Sequence, residues 1–250
     1  MSIARSDYVS SIWKGGIFNE RVVFCTGGAG TICSAQVRAL VCLGANACII
    51  GRNTDKALSM AKSLATARPG AQVIGIGGVD VRKLTSLEAA ASQCVEKLGR
   101  LDYVINSLAD TRAADSAGAA GNFLAPIDGL SANAFKAVVD IDLLGMPFQA
   151  HVASAKAGVD ALSAAIALEY GPRGVTSNVI SPGPIRDTEG MERLSSKETR
   201  DSGQAARATP LGRYGQVKDI ADATIYLLAE SGNYMNGHVM VIDGGAWRLS

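Results

Sequence analysis

Four short apolar runs separated by helical stretches restrict this chain's fold more than any other feature. "RVVFCT" (residues 21–26), "ANACIIG" (45–51), "AQVIGIGGVD" (71–80) and "LDYVIN" (101–106) have the length and composition of strands. Between them "SAQVRALVCLG", "DKALSMAKSLA" and "TSLEAAASQCVEKLG" have the pattern of helices, the last with Thr85 and Glu88 at capping-box spacing. Strands this uniformly apolar suit a parallel sheet buried on both faces. Further on, "GVTSNVISPG" (174–183) predicts a strand ending in a loop, residues 216–230 a helix, and "HVMVIDGG" (238–245) a last strand. The expected fold is α/β: a Rossmann-like, doubly wound parallel sheet with helices on both faces. With 250 residues there is room for one large domain, expected over residues 21–250 behind an N-terminal arm of residues 1–20.

The charges nearly cancel, 24 Lys and Arg against 23 Asp and Glu, which argues against a nucleic-acid or membrane-surface partner. Residues 1–20 carry Arg5, Asp7 and Lys14 and lack the apolar core of a signal peptide. No uncharged apolar run reaches membrane-spanning length. Five cysteines (Cys25, Cys33, Cys42, Cys48, Cys94) form no C-x-x-C pair, so buried reduced thiols are expected rather than a metal site.

"CTGGAGTIC" joins the first strand to the first helix. Glycines there let the backbone approach a pyrophosphate seated on a helix N-terminus. Gly28 and Gly30 satisfy the first half of G-x-G-x-x-G, whereas Cys33 stands at the last glycine. A tight structural turn is the alternative. The second strand ends "IIGRN", with Arg52 where an NAD-binding acid would stand, which favours the 2′-phosphate of NADP(H). A solvated surface arginine is the bland alternative. Asp80 is placed either to contact adenine or to serve a turn. A methyltransferase using S-adenosylmethionine also fits a glycine loop after a first strand, but Arg52 and "SPGPI" argue against it.

In this order "TGGAGTIC", "VDVR", "LDYVIN", "AAGNFLAP", "SANAFKAVVDIDLLG", "SAKAGVDAL", "SPGPI" and "VIDGGAW" resemble the short-chain dehydrogenase/reductase family. The likeness covers nearly the whole chain from about residue 13 and is similar to the fungal peroxisomal 2,4-dienoyl-CoA reductase branch. It implies an NADP(H)-dependent reduction of an acyl-CoA dienoyl thioester to a 3-enoyl-CoA, within fatty acid β-oxidation. Lys156 would bind the nicotinamide ribose, and Asp142 would join it in ordering a proton-delivering water. The family's usual tyrosine four residues before the lysine is Val152 here, as in that branch. The resemblance implies further coenzyme contacts at Gly27, Thr31, Ile32, Asn106, Pro182, Gly183, Ile185 and Thr188. Asn122 and Phe123 would line the acyl-CoA site; Arg82 and Arg193 could meet CoA phosphates or lie on the surface. His151 and Ser154 flank the lysine as polar helix residues. Homo-oligomers paired through the helix of residues 151–170 and a peroxisomal location are also implied, although the terminal "RLS" does not match S-K-L.

Two departures stand out. "LADTRAADSAG" appears as an insertion before "AAGNF", and residues 146–150 replace a helix remainder, a loop and a central strand. Those elements need about 25 residues at average lengths. Loss of an inner strand exposes backbone groups at about 1–3 kcal/mol each when they stay buried and unpaired. A non-catalytic dinucleotide-binding chain is therefore the second expectation.

Overall fold

The computed structural model describes residues 4–106, 150–194, 206 and 209–246. Their packing separates two compact units, one of Met1–Ser107, Ile180–Asn233 and Val241–Ser250, the other of Leu108–Val179 and Tyr234–Met240.

The first unit is built on β1 (Val22–Thr26), β2 (Asn46–Ile50), β3 (Val73–Ile76) and β4 (Tyr103–Asn106), in the order β3-β2-β1-β4. All three pairings are parallel. The helices α1 (Thr31–Cys42), α2 (Thr54–Ala65) and α3 (Leu84–Leu98) are the crossovers between them. Successive residues of β1 and β2 point to opposite faces, and both faces are covered. Val23, Cys25, Ala47 and Ile49 enter one core with Val37, Leu40 and Val41 of α1 and Leu64 of α2. Val22, Phe24, Cys48 and Ile50 enter the other with Ala90 and Cys94 of α3. That is the doubly wound arrangement the uninterrupted apolar runs predict.

Helix ends follow local chemistry. The Asn53 side chain accepts from Lys56 N at 2.8 Å and caps α2, while Gly99, at φ 83°, closes α3 in the left-handed region. The capping box expected of Thr85 and Glu88 is not what starts α3. The helix begins a residue earlier, at Leu84, behind Lys83 with no side-chain cap, because the turn after β3 already bonds Lys83 N to Asp80 O at 3.0 Å.

A later helix, α6 (Val217–Leu228), also packs on α1: the buried Gln36 Nε2 donates to Thr224 Oγ1 at 2.8 Å. The first twenty residues contribute to this core through Val9 and Phe18. Ser10 N and Trp13 Nε1 donate to Asp222 Oδ1 of α6 at 3.1 and 2.8 Å, and the Ser10 hydroxyl donates to Oδ2.

In the second unit α4 (Ala150–Tyr170) runs into a 3-10 turn at Gly171–Arg173. Ser163 and Ser177 hydroxyls share a 2.8 Å hydrogen bond, and Asn236 Nδ2 donates to Ala167 O at 3.0 Å. β5 (Val179–Pro182) pairs with β6 (Val239–Ile242). Among the described residues β4 is paired on one side only, by β1, and Val104 is 58% exposed. The junction where a strand is expected to be missing lies outside the described residues, as does the expected insertion. No helix among the described residues is long and apolar enough to cross a membrane.

Candidate functional site

Parallel crossovers put each following helix N-terminus at the carboxyl edge of the sheet, and the strand order reverses between β1 and β4. Open α/β sheets take ligands at such a switch point. The two strands end there on Thr26 and Asn106, whose side chains meet: Thr26 Oγ1 donates to Asn106 Oδ1 at 2.7 Å. The hydrogen bond fixes the amide expected to meet the coenzyme. Thr26 was not singled out from the sequence, although a polar residue closing an apolar run was the available signal.

Between Thr26 and α1 the backbone makes a cradle. Gly27 turns at φ 60°, in the left-handed region. Gly30 N donates to Gly27 O at 2.8 Å. A Cβ on Gly28 would lie 2.6 Å from the Ile49 side chain, and one on Gly30 3.3 Å from Gly27 O. Gly30 is the N-cap of α1 with no side-chain cap, and the first turn contains no acid. The N–H groups of Thr31 and Ile32 therefore lie at an uncapped, positive helix end, beside glycines packed too tightly for side chains. This cradle fits a pyrophosphate. Cys33, at the third glycine of the fingerprint, is buried and packs against Cys25 of β1. A thiol is small enough for the close helix–strand contact that glycine usually permits. The hydrogen bond with Cys33, then burial, pushes the Cys25 thiol well above its ordinary value, which keeps Cys25 protonated and unreactive.

Arg52 follows β2 and is exposed. Its carbonyl accepts from Gly78 N at 3.1 Å. Asp80 and Arg82, expected to meet adenine and CoA separately, hold each other. Arg82 Nε and Nη2 donate to the two Asp80 oxygens at 2.9 Å each, and Arg82 N donates to Oδ1 at 3.1 Å. These bonds pull the carboxyl down to about 2.

The segment after β5 is also closely built. Gly183 N donates to Ile242 O at 2.9 Å, and a Cβ on Gly183 would lie 2.5 Å from Asp243 Cβ. Pro182 ends β5, and Ile185 is buried and bridges Gly215. Thr188, expected to contact the coenzyme, has local hydroxyl bonds. It donates to Ile185 O at 2.8 Å and accepts from Met191 N at 3.3 Å, capping the short α5 (Glu189–Leu194). Arg193 belongs to α5.

Lys156 belongs to the second unit, in the second turn of α4. Burial lowers its pKa, and Asp160 one turn on pushes it back up. Such a lysine is a partly desolvated cation, suited to hydroxyl groups and developing negative charge. Asp142, Asn122 and Phe123 lie outside the described residues.

Residues 21–151 match the family described as short chain dehydrogenase, and residues 141–246 the one described as enoyl-(acyl carrier protein) reductase. The chain belongs to the short-chain dehydrogenase/reductase family. It is an oxidoreductase of that family, whose members bind a nicotinamide dinucleotide. The chain is 41% identical, over 95% of its length and 87% of the relative's, to a peroxisomal 2,4-dienoyl-CoA reductase of Saccharomyces cerevisiae. A peroxisomal 2,4-dienoyl-CoA reductase of Danio rerio is 33% identical over 96% of this chain and 85% of its own. Among solved structures, a short chain dehydrogenase of Bacillus anthracis superposes with TM-score 0.76 at 28% identity, covering 92% of this chain and 98% of that one. The yeast alignment spans 268 positions but takes in only 95% of the 250 residues here, so about 30 positions of the relative have no counterpart.

Proposed function

We propose that this chain is an NADPH-dependent reductase of 2,4-dienoyl-CoA thioesters that yields 3-enoyl-CoA. The observation that carries the reading is the 41% identity, across 95% of the chain, to a relative named for that reaction. Arg52 after β2, at the position where an NAD-binding acid would stand, supports NADPH over NADH.

Gly27, Gly28, Gly30, Thr31 and Ile32 would hold the pyrophosphate, Arg52 the 2′-phosphate, and Asn106 and the 182–185 segment the nicotinamide half. When bound, NADPH supplies a hydride to the far end of the diene. Lys156 binds the ribose hydroxyls, and its charge favours the enolate that develops at the thioester. Asp142 and Lys156 together hold the water that hands a proton to the carbon beside the carbonyl. One hydride and one proton leave the remaining double bond at the 3 position. The same relatives, named as peroxisomal, support a peroxisomal setting, and a dienoyl-CoA substrate fits fatty acid breakdown.

A second reading, a chain that binds coenzyme without turnover, is favoured by the positions missing relative to the yeast protein. One experiment separates them: NADPH oxidation followed by absorbance with a 2,4-dienoyl-CoA. Turnover that Lys156→Ala abolishes supports the reductase. Saturable NADPH binding with no turnover supports the second reading and sinks the first.

A further inference from the structure

Lys56 and Glu189 come from separate segments of the first unit, yet the Lys56 ammonium lies 3.6 Å from Glu189 Oε1. Lys56 sits in the first turn of α2, four residues after Arg52. Its N–H is bonded to Asn53, the neighbour of Arg52, so its position is tied to the β2–α2 turn. Because α2 starts at the carboxyl edge of the sheet, Lys56 projects from the edge where the coenzyme is expected. Glu189 opens α5 directly after the segment containing Gly183, Ile185 and Thr188.

The pair is loosely held. Side-chain exposure is 43% for Lys56 and 46% for Glu189, and 3.6 Å exceeds a good N–H···O distance. Exposed ion pairs of this kind contribute little and exchange partners readily. A 2′-phosphate carries more charge than one carboxylate and offers three acceptor oxygens.

We infer that Lys56 is a specificity-determining residue, the second cation of the 2′-phosphate subsite, and that Glu189 competes with the phosphate for it. NADPH then displaces Glu189 from Lys56 and releases the first turn of α5, whereas NADH leaves the pair intact. The inference rests on the NADPH reading above and adds the residue that completes coenzyme choice.

The test uses the full chain, titrated with NADPH and NADH by nicotinamide fluorescence and with 2′,5′-ADP by calorimetry. Lys56→Gln is expected to weaken NADPH and 2′,5′-ADP about tenfold while NADH stays within about twofold. Glu189→Gln is expected to tighten NADPH and 2′,5′-ADP, and that gain should vanish in the Lys56→Gln background. Unchanged NADPH affinity in Lys56→Gln, or equal weakening of both coenzymes, overturns the role of Lys56. A Glu189→Gln gain that is absent, or that persists without Lys56, overturns the competition. Arg52→Ala, run in parallel, tells the two levels apart. If Arg52→Ala discriminates between the coenzymes and Lys56→Gln does not, only this inference falls. If neither does, the NADPH reading falls with it.

Discussion

A lysine whose ammonium is pulled out of water gives up its proton more readily. Burial lowers Lys156 below the ordinary lysine value, so the cation disappears at a lower pH than on an exposed lysine. Coenzyme affinity that depends on this cation should therefore fall on the alkaline side before free lysine would titrate. In Lys156→Gln affinity should be lower and flat over that range; a limb that persists in the variant would assign the titration elsewhere. Gly28 makes a different residue-scale prediction. Its missing Cβ is occupied by Ile49, a fully buried residue of β2. Gly28→Ala should cost about 1–3 kcal/mol in denaturant stability through overpacking. An unchanged midpoint would mean that the loop does not hug the strand. Chemistry at this scale was partly legible beforehand. Glycines after a strand mark a cradle by their type alone. The Asp80–Arg82 grip and the Lys56–Glu189 pair depend on side-chain directions that spacing does not encode.

Among elements, one carboxylate ties three groups of the N-terminal segment to α6. Asp222 accepts from Ser10 N, the Ser10 hydroxyl and Trp13 Nε1. Asp222→Ala should cost about 2–4 kcal/mol, since hydrogen bonds to a charged acceptor are among the stronger ones. Limited proteolysis before Phe18 should accelerate in parallel; an intact segment in the variant would show that Val9 and Phe18 suffice. The helix α4 makes the second prediction. Leu162 is 61% and Leu168 79% exposed, with Val159 and Tyr170 also open. Apolar side chains this exposed on one long helix suit pairing with a second copy. Leu162→Glu should shift sedimentation from oligomer to monomer, and a wild type that already sediments as a monomer would remove this face as an interface. Apolar runs located β1 and β2 because burial on both faces leaves no polar alternation to misread. The start of α3 was misplaced because a turn after β3, rather than a capping side chain, begins it.

For the molecule as a whole, a bound coenzyme should register as stability. At about 100 times its dissociation constant NADPH adds about 2.7 kcal/mol, which raises the melting temperature by several degrees. A scan without a shift would count against the glycine cradle as a nucleotide site. The order of strands and helices, the turn glycines and the arginine after β2 follow from residue types in sequence, because hydrophobic period and backbone freedom are local properties. Long-range contacts are another matter. Thr26 with Asn106, Cys25 with Cys33 behind the cradle, Asp222 with the first residues and Lys56 with Glu189 bring distant side chains to fixed distances. Those distances arise from how the crossovers return to the sheet, and no local pattern of the chain carries them.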